Sequence, residues 1–381
     1  MKNIYLDYSA TTPIDKRVLK EMQPYFTEKF GNTMSLHSFG QKSKFALETS
    51  REVFADIISA KPNEIIFTSS ATESNNLALK GVAFSKKSGH IIISSIEHPS
   101  VMEPVKWLQK QGFEITKLPV DKFGMVDPED VKKEIKENTI LVSVMHANNE
   151  IGTIQSIKEI GKICREKKVL FHTDASQSFG KIKIDVAKDN IDLLTASSQK
   201  IYGPKGAGLL YVKQGIILTP LLHGGGQENG LRGSTVNVAA IVGFAKATEL
   251  CIKEIKKETK RQVNLRDYLI KNVLKIKNSR LNGHPLKRLP NNANFSFDFV
   301  EGESLLMQLD MEKIACSTGS ACASFKLEPS YVLLALGLKP EQAHGSLRVS
   351  IGRLTTKKDI EKIIKILPKI VEKIRAVSPY K

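Results

Sequence analysis

The sequence predicts an α/β fold, with a large α/β domain built on a mostly parallel mixed sheet and a smaller α+β domain. In the middle of the chain, short β-branched runs alternate with helical patterns, as in sheets that helices cover on both faces. The C-terminal third instead contains runs in which apolar and polar residues alternate. The 381 residues also exceed the size of roughly 250–300 residues at which a single hydrophobic core stops growing.

The strands predicted for the large domain are short runs that are apolar on both faces. They are Glu64–Thr68, His90–Ser94, Thr139–Ser143, Val169–Thr173, Asp192–Thr195 and Gly208–Val212. A helix follows the first run, because residues 73–80 contain no helix breaker before Gly81. We expect this domain to span residues 15–250.

The smaller domain is expected to comprise residues 1–14 and 251–381. Within it, Ala293–Phe297 and Leu347–Ile351 have the pattern of half-exposed strands. The last helix is expected to begin at Thr356, since Asp359 three positions later completes a capping-box pattern. The N-terminal arm is expected to pack on this domain.

Composition excludes several classes of protein. With 41% hydrophobic and 25% charged residues, the chain is typical of globular proteins and not of disordered ones. No apolar run approaches the ~18–20 residues that span a bilayer, so no membrane association is expected. The first residues show no apolar signal region, and the four cysteines form no disulfide framework and no CxxC pair. These features predict a cytoplasmic location.

The excess of positive charge is concentrated in one region. The chain has a net charge of +17, and residues 251–290 contain twelve Lys or Arg against three Asp or Glu. The apolar residues Leu265, Leu269 and Val273 recur at helical spacing, which places the lysines on the solvated face of an amphipathic helix. No recognisable nucleic-acid-binding module or set of base-stacking aromatics accompanies the charge, so nucleic-acid binding is not predicted. Docking of an acidic partner protein remains open.

Four short stretches carry candidate chemistry. Thr68–Asn75 combines a strand end, small residues and a helix start, which suits a phosphate but is also common in ordinary helix caps. Asp174 ends an apolar strand, where it either pairs with a cation or caps the next helix. Lys200 follows hydroxyl residues and precedes a rigid Gly-Pro turn, whereas Cys322 lies among small residues that leave its thiol free to move.

The first three stretches together match the needs of pyridoxal 5′-phosphate. Its phosphate needs a helix start, its ring nitrogen needs an anionic partner such as Asp174, and its aldehyde needs an amine such as that of Lys200 for a Schiff base. The combination is therefore more specific than any of its parts.

Motifs along essentially the whole chain carry a family resemblance. They are Tyr5–Pro13, Phe30–His37, Ala71–Asn75, Glu97–Pro99, His146–Thr153, Ser198–Gly206, His223–Glu228, Thr318–Cys322, Leu327–Ser330 and Ile351–Arg353. With these motifs the chain resembles group I cysteine desulfurases of the NifS/IscS type. The resemblance implies the aspartate-aminotransferase fold, which is fold type I of the pyridoxal-phosphate-dependent transferases.

The resemblance also implies a set of contacts to pyridoxal 5′-phosphate. The implied cofactor-binding residues are Ala71, Thr72, His98, Asn149, Asp174, Gln177, Ser197, Ser198, Gln199, Lys200 and Thr235. Among them, Ala71, Thr72 and Ser197 would hold the phosphate, and Thr235 would add a contact from the neighbouring subunit of a homodimer. His98 would stack on the ring, Asp174 would pair with its nitrogen, Gln177 would bond its phenolic oxygen, and Lys200 would form the Schiff base.

The implied reaction converts L-cysteine into L-alanine. Arg348 would hold the substrate carboxylate, with Asn32 and Asn149 assisting. The catalytic residues implied are Lys200, His98 and Cys322, whose thiolate would take the substrate sulfur as a persulfide. A mobile loop would carry this sulfur to an iron–sulfur scaffold protein of the IscU type. There Cys322 would also serve as a transient, shared [2Fe–2S] ligand.

The sequence departs from the usual family pattern in three ways. The family usually has glycine at Ser70 and histidine at Gln199, and it reads Arg-Ser-Gly-Thr where this chain has Arg232-Gly-Ser-Thr235. Loss of the imidazole at Gln199 bears on proton handling near the cofactor, but it leaves the role of Lys200 intact. The exchange before Thr235 bears on the position of that contact.

Two alternative functions are open at this point. One is a different pyridoxal-phosphate lyase or transaminase, such as a selenocysteine lyase, against which the Cys322 stretch argues. The other is a non-catalytic cluster-binding or nucleic-acid-binding protein that has kept the fold, against which Lys200, Asp174 and Cys322 together argue.

Overall fold

The computed structural model describes residues 3–319 and 328–378. Its strands are β1 Ile4–Tyr5, β2 Ile65–Thr68, β3 His90–Ser94, β4 Glu114–Leu118, β5 Thr139–Ser143, β6 Leu170–Asp174, β7 Leu193–Ser197, β8 Gly208–Val212, β9 Ser279–Asn282, β10 Asn292–Phe297, β11 Ile314–Ala315 and β12 Ser346–Ser350. Its helices are α1 Lys16–Met22, α2 Pro24–Thr27, α3 Ser38–Ile58, α4 Ala71–Lys86, α5 Pro99–Lys110, α6 Pro128–Glu134, α7 Ile157–Glu166, α8 Val238–Val273, α9 Gly302–Met311, α10 Tyr331–Ala335, α11 Pro340–His344 and α12 Lys357–Val377.

A mixed sheet forms the centre of the larger part of the molecule. Among the described residues it has seven strands in the order β2-β8-β7-β6-β5-β3-β4. Neighbouring strands are parallel except at β8, which runs antiparallel to both β2 and β7. The strands β2, β3, β5, β6 and β7 therefore all end at the same edge of the sheet, which is where open α/β sheets bind ligands.

Helices bury both faces of this sheet. On one face Phe54 of α3 and Phe244 of α8 pack with ring centroids 4.6 Å apart, in a core that also contains Phe171 of β6. On the other face, apolar residues of α4 and α5 pack against Ile91 and Ile93 of β3. Because both faces are covered, the strands carry the continuous apolar runs seen in the sequence.

A second core lies around an antiparallel sheet. Its strand order is β12-β10-β9 among the described residues, and its core includes Phe295 of β10, Leu347 of β12 and Ile363 of α12. The long helix α8 contributes to both cores, because Phe244 lies in the first and Leu269 in the second. The capping box predicted at the start of α12 is confirmed: Thr356 and Asp359 bond reciprocally.

The N-terminal arm connects the two parts. Strand β1 pairs in parallel with β11, and the backbone N–H of Ser350 in β12 donates to the carbonyl of Leu6. Residues 7–15 then continue across to the loop after β7, where Thr12 bonds Gln199 and Tyr202 and the backbone N–H of Asp15 donates to the Tyr202 carbonyl.

Three expectations from the sequence need correction. Strands β10 and β12 were expected to be half-exposed, but both are buried along their whole length, because their polar face packs on the loop at Asn149 and Glu150. Strand β4, which pairs with β3 at the sheet edge, was not predicted. No sequence signal indicated that α4 continues past Gly81, yet the helix extends to Lys86. Within the described residues, no helix is long and apolar enough to cross a membrane.

Candidate active site

A cavity of about 300 Å³ opens at the edge where the parallel strands end. Its walls include many residues singled out from the sequence: Ala71, Thr72, His98, Asn149, Asp174, Gln177, Ser197, Gln199, Lys200 and Arg348. These residues come from six separate stretches of chain. The sheet topology brings most of them together, because the carboxyl ends of its parallel strands meet at one edge, whereas Arg348 comes from β12 of the second sheet.

The start of helix α4 forms one wall of this cavity. Ser70 caps the helix through its side chain, which accepts from the backbone N–H of Glu73 at 3.2 Å. Ala71 and Thr72 occupy the first turn, where backbone N–H groups have no partner within the helix. Their N–H groups and the positive end of the helix dipole make this wall a site for an anion such as phosphate.

Asp174 forms the anionic wall. It ends strand β6 with 5% of its surface exposed, and its Oδ2 accepts from the side-chain amide of Asn75 at 2.7 Å. Its Oδ1 accepts from the backbone N–H of Ser176 at 2.9 Å. A carboxylate this buried and held by two donors is oriented to receive a further proton donor from a ligand in the cavity.

His98 lines the same cavity as the N-cap of helix α5. Its Nδ1 accepts from the backbone N–H of Ser100 at 3.1 Å, which assigns the proton of the neutral ring to Nε2. Burial lowers the pKa of His98, and the charge of Lys200 acts in the same direction while that of Asp174 opposes it. The ring is therefore held neutral and fixed at the wall of the cavity.

Lys200 extends from the loop after β7 toward the N-terminal arm. Its Nζ donates to the carbonyls of Ser9 at 2.8 Å and Ala10 at 2.5 Å. The side-chain amide of Gln177 donates to the same Ser9 carbonyl at 2.9 Å. The arm therefore holds the amine of Lys200 beside the residues that line the cavity.

Arg348 supplies a buried cation. Its side chain is 2% exposed; its Nη2 pairs with Asp7 Oδ1 at 2.9 Å and its Nη1 donates to the carbonyl of Asn149 at 3.2 Å. The Nε of Arg348 has no hydrogen-bond partner within the described residues. This guanidinium is therefore fixed in place with one donor available for an anionic ligand.

Polar atoms without a hydrogen-bond partner at the cavity wall indicate whether these residues fit pyridoxal 5′-phosphate. Within the described part of the chain, Ser176 Oγ, Gln177 Oε1 and Arg348 Nε are buried without a partner. Such atoms are costly unless a ligand or water satisfies them. With the α4 start, Asp174 and Lys200, they provide an anion cradle, an acceptor for a ring N–H and an amine, so the residues present fit this cofactor.

Three of the predicted site residues that the structure describes do not line this cavity. Ser198 is buried, with its Oγ against Gly203. Asn32 is exposed, and its side chain accepts from the backbone N–H of Met34. Neither residue lines the cavity. Thr235 lines a different cavity beside Arg232 and Ser69. Cys322 lies outside the described residues, and within those residues no group of three or more His, Cys, Asp or Glu could hold a metal ion.

Several residues of the site were missed from the sequence. Asn75 holds Asp174, Asp7 pairs with Arg348, and the carbonyls of Ser9 and Ala10 hold Lys200. Glu150 also lines the cavity; it accepts from Ser330 Oγ at 2.5 Å, and burial raises its pKa. These missed residues lie in three of the motifs, Tyr5–Pro13, Ala71–Asn75 and His146–Thr153, but no sequence signal assigned their contacts.

Known proteins resemble this chain over its full length. The family model described as Aminotransferase class-V matches residues 4–363. A cysteine desulfurase IscS from Dictyoglomus turgidum is 53% identical, covering 100% of this chain and 97% of the relative. A solved structure of a NifS-like protein superposes with a TM-score of 0.92 at 37% identity, covering 97% of this chain and 100% of that one. A structure of SspA in complex with cysteine gives 0.82 at 37% identity, covering 91% and 98%.

Proposed function

The chain belongs to the aminotransferase class-V family, and from this premise we propose how its residues carry out its reaction. It is a pyridoxal 5′-phosphate-dependent cysteine desulfurase that converts L-cysteine into L-alanine and donates the sulfur for iron–sulfur cluster assembly. The observation that carries the assignment of residues is the cavity that gathers Lys200, Asp174 and Arg348 at the start of helix α4.

The residues that hold the cofactor follow from the walls of the cavity. Ala71, Thr72 and Ser197 bind its phosphate, Asp174 accepts from its ring nitrogen, and His98 packs on its ring. Gln177 Oε1, which is buried and unsatisfied within the described residues, bonds its phenolic group. When bound, pyridoxal 5′-phosphate supplies an aldehyde that condenses with amines and a ring that withdraws electrons from the substrate Cα.

Arg348 and Lys200 have different roles toward the substrate. The guanidinium of Arg348 binds the carboxylate of L-cysteine, and its fixed position orients the Cα–H bond. The amine of Lys200, when it is not covalently engaged, accepts the Cα proton as a general base and later returns it. The neutral ring of His98, with its proton on Nε2, helps to exclude water from this side of the cavity.

Cys322 acts as the nucleophile on sulfur. Its thiolate attacks the substrate sulfur, an S–S bond forms, and the Cβ–S bond breaks with its electron pair remaining on carbon. Protonation of that carbon yields L-alanine, and the persulfide stays on Cys322. The role rests on the family motif Thr318–Cys322.

A homodimer is part of the proposal. The segment around α2 and the start of α3 exposes large apolar side chains, with Phe26 60%, Phe30 65%, Leu36 91% and Phe45 75% exposed. Apolar exposure on this scale is typical of an interaction surface. Val236, next to Thr235, packs against a buried cluster of Ala46, Val238 and Val242, as does Tyr25 of α2. A second copy seated there covers the apolar side chains and brings its Thr235 to the neighbouring phosphate site.

The proposal extends to where the sulfur goes. An iron–sulfur scaffold protein of the IscU type accepts it from Cys322, which also serves briefly as a ligand of the [2Fe–2S] cluster. The location is cytoplasmic, which the free thiols of Cys164, Cys251 and Cys316 support, because reducing compartments keep cysteines unpaired. The activity is tested by incubating the purified holoenzyme with L-cysteine and measuring L-alanine, and absence of L-alanine would remove the desulfurase assignment.

Replacing Arg348 with alanine is expected to raise the KM for L-cysteine by roughly tenfold to a hundredfold. The reason is loss of a charge-assisted contact to the substrate carboxylate, whereas cofactor affinity should change little. Steady-state kinetics and a cofactor titration measure the two effects. Because the variant leaves Asp7 without its cation, thermal unfolding must be recorded alongside.

Arg353 provides a matched control for Arg348. It lies outside the cavity and pairs with Asp15 at 2.9 Å and Glu254 at 3.2 Å. Arg353→Lys should therefore keep the KM for L-cysteine. Unchanged saturation in Arg348→Ala, or an equal increase in Arg353→Lys, would contradict the assigned role.

A mixed dimer tests whether Thr235 acts across the interface. Homodimers of Lys200→Ala subunits and homodimers of Thr235→Val subunits are each expected to have reduced activity or none. Combined, they should form a heterodimer with one intact site, since Lys200 of one subunit meets Thr235 of the other. Recovered L-alanine formation at limiting cofactor is the expected result; no recovery despite heterodimer formation would mean that Thr235 acts within its own subunit, or not at all.

A further inference from the structure

The N-terminal arm contacts the backbone on both sides of Lys200 through one side chain. The hydroxyl of Thr12 donates to the carbonyl of Gln199 at 2.8 Å and accepts from the backbone N–H of Tyr202, also at 2.8 Å. The backbone N–H of Thr12 donates to the same Gln199 carbonyl at 3.0 Å. Thr12 is 7% exposed, so water competes little for these bonds.

The turn that Thr12 contacts is strained. Tyr202 has a φ of +68°, a left-handed conformation that is a genuine outlier for a bulky residue other than glycine. Strain of this kind persists only where surrounding contacts over-determine it, and it is concentrated at functional sites. Lys200 lies two residues before the strained position, so the direction of its side chain depends on how this turn is held.

Other contacts hold the far side of the turn. The ring of Tyr202 lies 4.4 Å from the guanidinium carbon of Arg353, and its hydroxyl accepts from the Arg353 backbone N–H at 2.8 Å. The backbone N–H of Asp15 donates to the Tyr202 carbonyl at 3.0 Å. These contacts fix Tyr202 itself, whereas Thr12 links Gln199 to Tyr202 directly and so spans Lys200.

We propose that Thr12 is a positioning residue for Lys200, whose hydroxyl bridge between Gln199 and Tyr202 aims the Lys200 amine into the cavity. The inference rests on the proposed function, because it assumes that Lys200 is the reacting amine. The same arm also supplies the Ser9 and Ala10 carbonyls that hold Lys200 Nζ. The arm therefore acts at both ends of the lysine: Thr12 at its backbone, and Ser9 with Ala10 at its amine.

Three variants separate this role from general stability. Thr12→Val keeps the shape but removes both hydroxyl bonds, and Thr12→Ser restores the hydroxyl. Thr11→Val is the control, because the Thr11 hydroxyl donates to the side-chain Oε1 of Gln199 at 3.2 Å and makes no bridge across Lys200. If Thr12→Val does not fold, Thr12→Ala removes the same hydroxyl with less bulk.

Two measurements compare the variants with the unchanged protein. The first is the kcat and KM for L-cysteine of the holoenzyme. The second is the rate at which the apoenzyme forms its covalent link with added pyridoxal 5′-phosphate, in which the Lys200 amine and the aldehyde condense with loss of water. The link is followed by visible absorbance and located by reduction and peptide mass spectrometry. Thermal unfolding of each apoenzyme accompanies both.

Thr12→Val is expected to lower kcat and the linking rate by roughly tenfold to a hundredfold, because a misdirected amine loses its reactive geometry. The KM for L-cysteine should stay nearly constant, and both Thr12→Ser and Thr11→Val should behave like the unchanged protein. A lower melting temperature with unchanged kcat and linking rate would overturn the proposal, as would a Thr12→Ser variant as slow as Thr12→Val. If the unchanged protein links the cofactor but forms no L-alanine, the proposed function fails while the linking rates still decide the role of Thr12.

Discussion

Replacing Lys200 with alanine is expected to lower L-alanine formation by about a thousandfold or more. General-base catalysis alone contributes roughly a hundredfold to ten-thousandfold, and the variant also loses the amine that we propose to bind the cofactor covalently. The side chain contacts the Ser9 and Ala10 carbonyls, both on an arm that many other bonds hold in place. The variant should therefore fold.

Cofactor binding in the Lys200→Ala variant separates the two roles of the lysine. The start of α4, Asp174 and Gln177 remain, so pyridoxal 5′-phosphate should still bind but without a covalent link. The visible absorbance of the linked cofactor should disappear, and reduction with borohydride should leave no cofactor on the chain. Lys200→Arg keeps the positive charge and should be equally inactive. A variant that keeps both the linked absorbance and full activity would exclude Lys200 as the reacting residue.

Replacing Cys322 with serine is expected to reduce L-alanine formation almost as severely. A hydroxyl is a much weaker nucleophile than a thiolate, so the substrate sulfur has no acceptor. Because Cys322 is not among the residues proposed to hold the cofactor, the visible absorbance of the cofactor and the response of that absorbance to L-cysteine should persist. The combination of a normal cofactor spectrum with lost turnover distinguishes this variant from Lys200→Ala.

Two other cysteines serve as controls for Cys322. Cys164 lies in helix α7, where burial raises the pKa of its thiol to about 12, and burial raises that of Cys251 to about 11. Neither forms a thiolate at neutral pH, so Cys164→Ala and Cys251→Ala should keep L-alanine formation. Loss of activity in either variant with normal folding, or full activity in Cys322→Ser, would contradict the assignment of the nucleophile.

Much of the large sheet could be predicted because its strands are buried on both faces. Strands such as Ile65–Thr68 and Gly208–Val212 are mostly apolar and buried along their whole length, and a short apolar run between turn signals is consistent with such a strand. Strand β4, Glu114–Leu118, was missed because Glu114 and Lys117 face solvent at its edge of the sheet, whereas β2 at the other edge is buried and keeps its apolar run. Charged side chains on an edge strand discourage pairing with the strands of other chains, and a strand that carries them has no continuous apolar run.

The end of helix α4 shows how packing overrides a local signal. Gly81 suggests an end to the helix, yet a Cβ at this position would lie 3.2 Å from the Cβ of Leu218. The glycine therefore allows close approach of the segment at Leu218, and tertiary contacts compensate for its weak helix propensity. Such a reason is visible only once Leu218, far along the chain, has been placed.

The candidate site likewise combines local features that could be predicted with long-range contacts that could not. Asp174, Lys200 and the start of α4 could be predicted, because strand ends and helix starts are local features that the sheet then gathers at one edge. The contacts of Lys200 with Ser9 and Ala10 could not, since they use backbone carbonyls nearly two hundred residues away in sequence. The pairing of Asp7 with Arg348 has the same long-range origin.

The most direct test of the central claim is to locate the sulfur after one turnover. The purified holoenzyme is incubated briefly with L-cysteine, L-alanine is quantified, and peptides are analysed by mass spectrometry without reductant. We expect one added sulfur on Cys322 for each L-alanine released, and its transfer to a cysteine of the scaffold protein when that protein is added. L-Alanine release with the sulfur on Cys164, Cys251 or Cys316, or with none on the chain, would contradict the account.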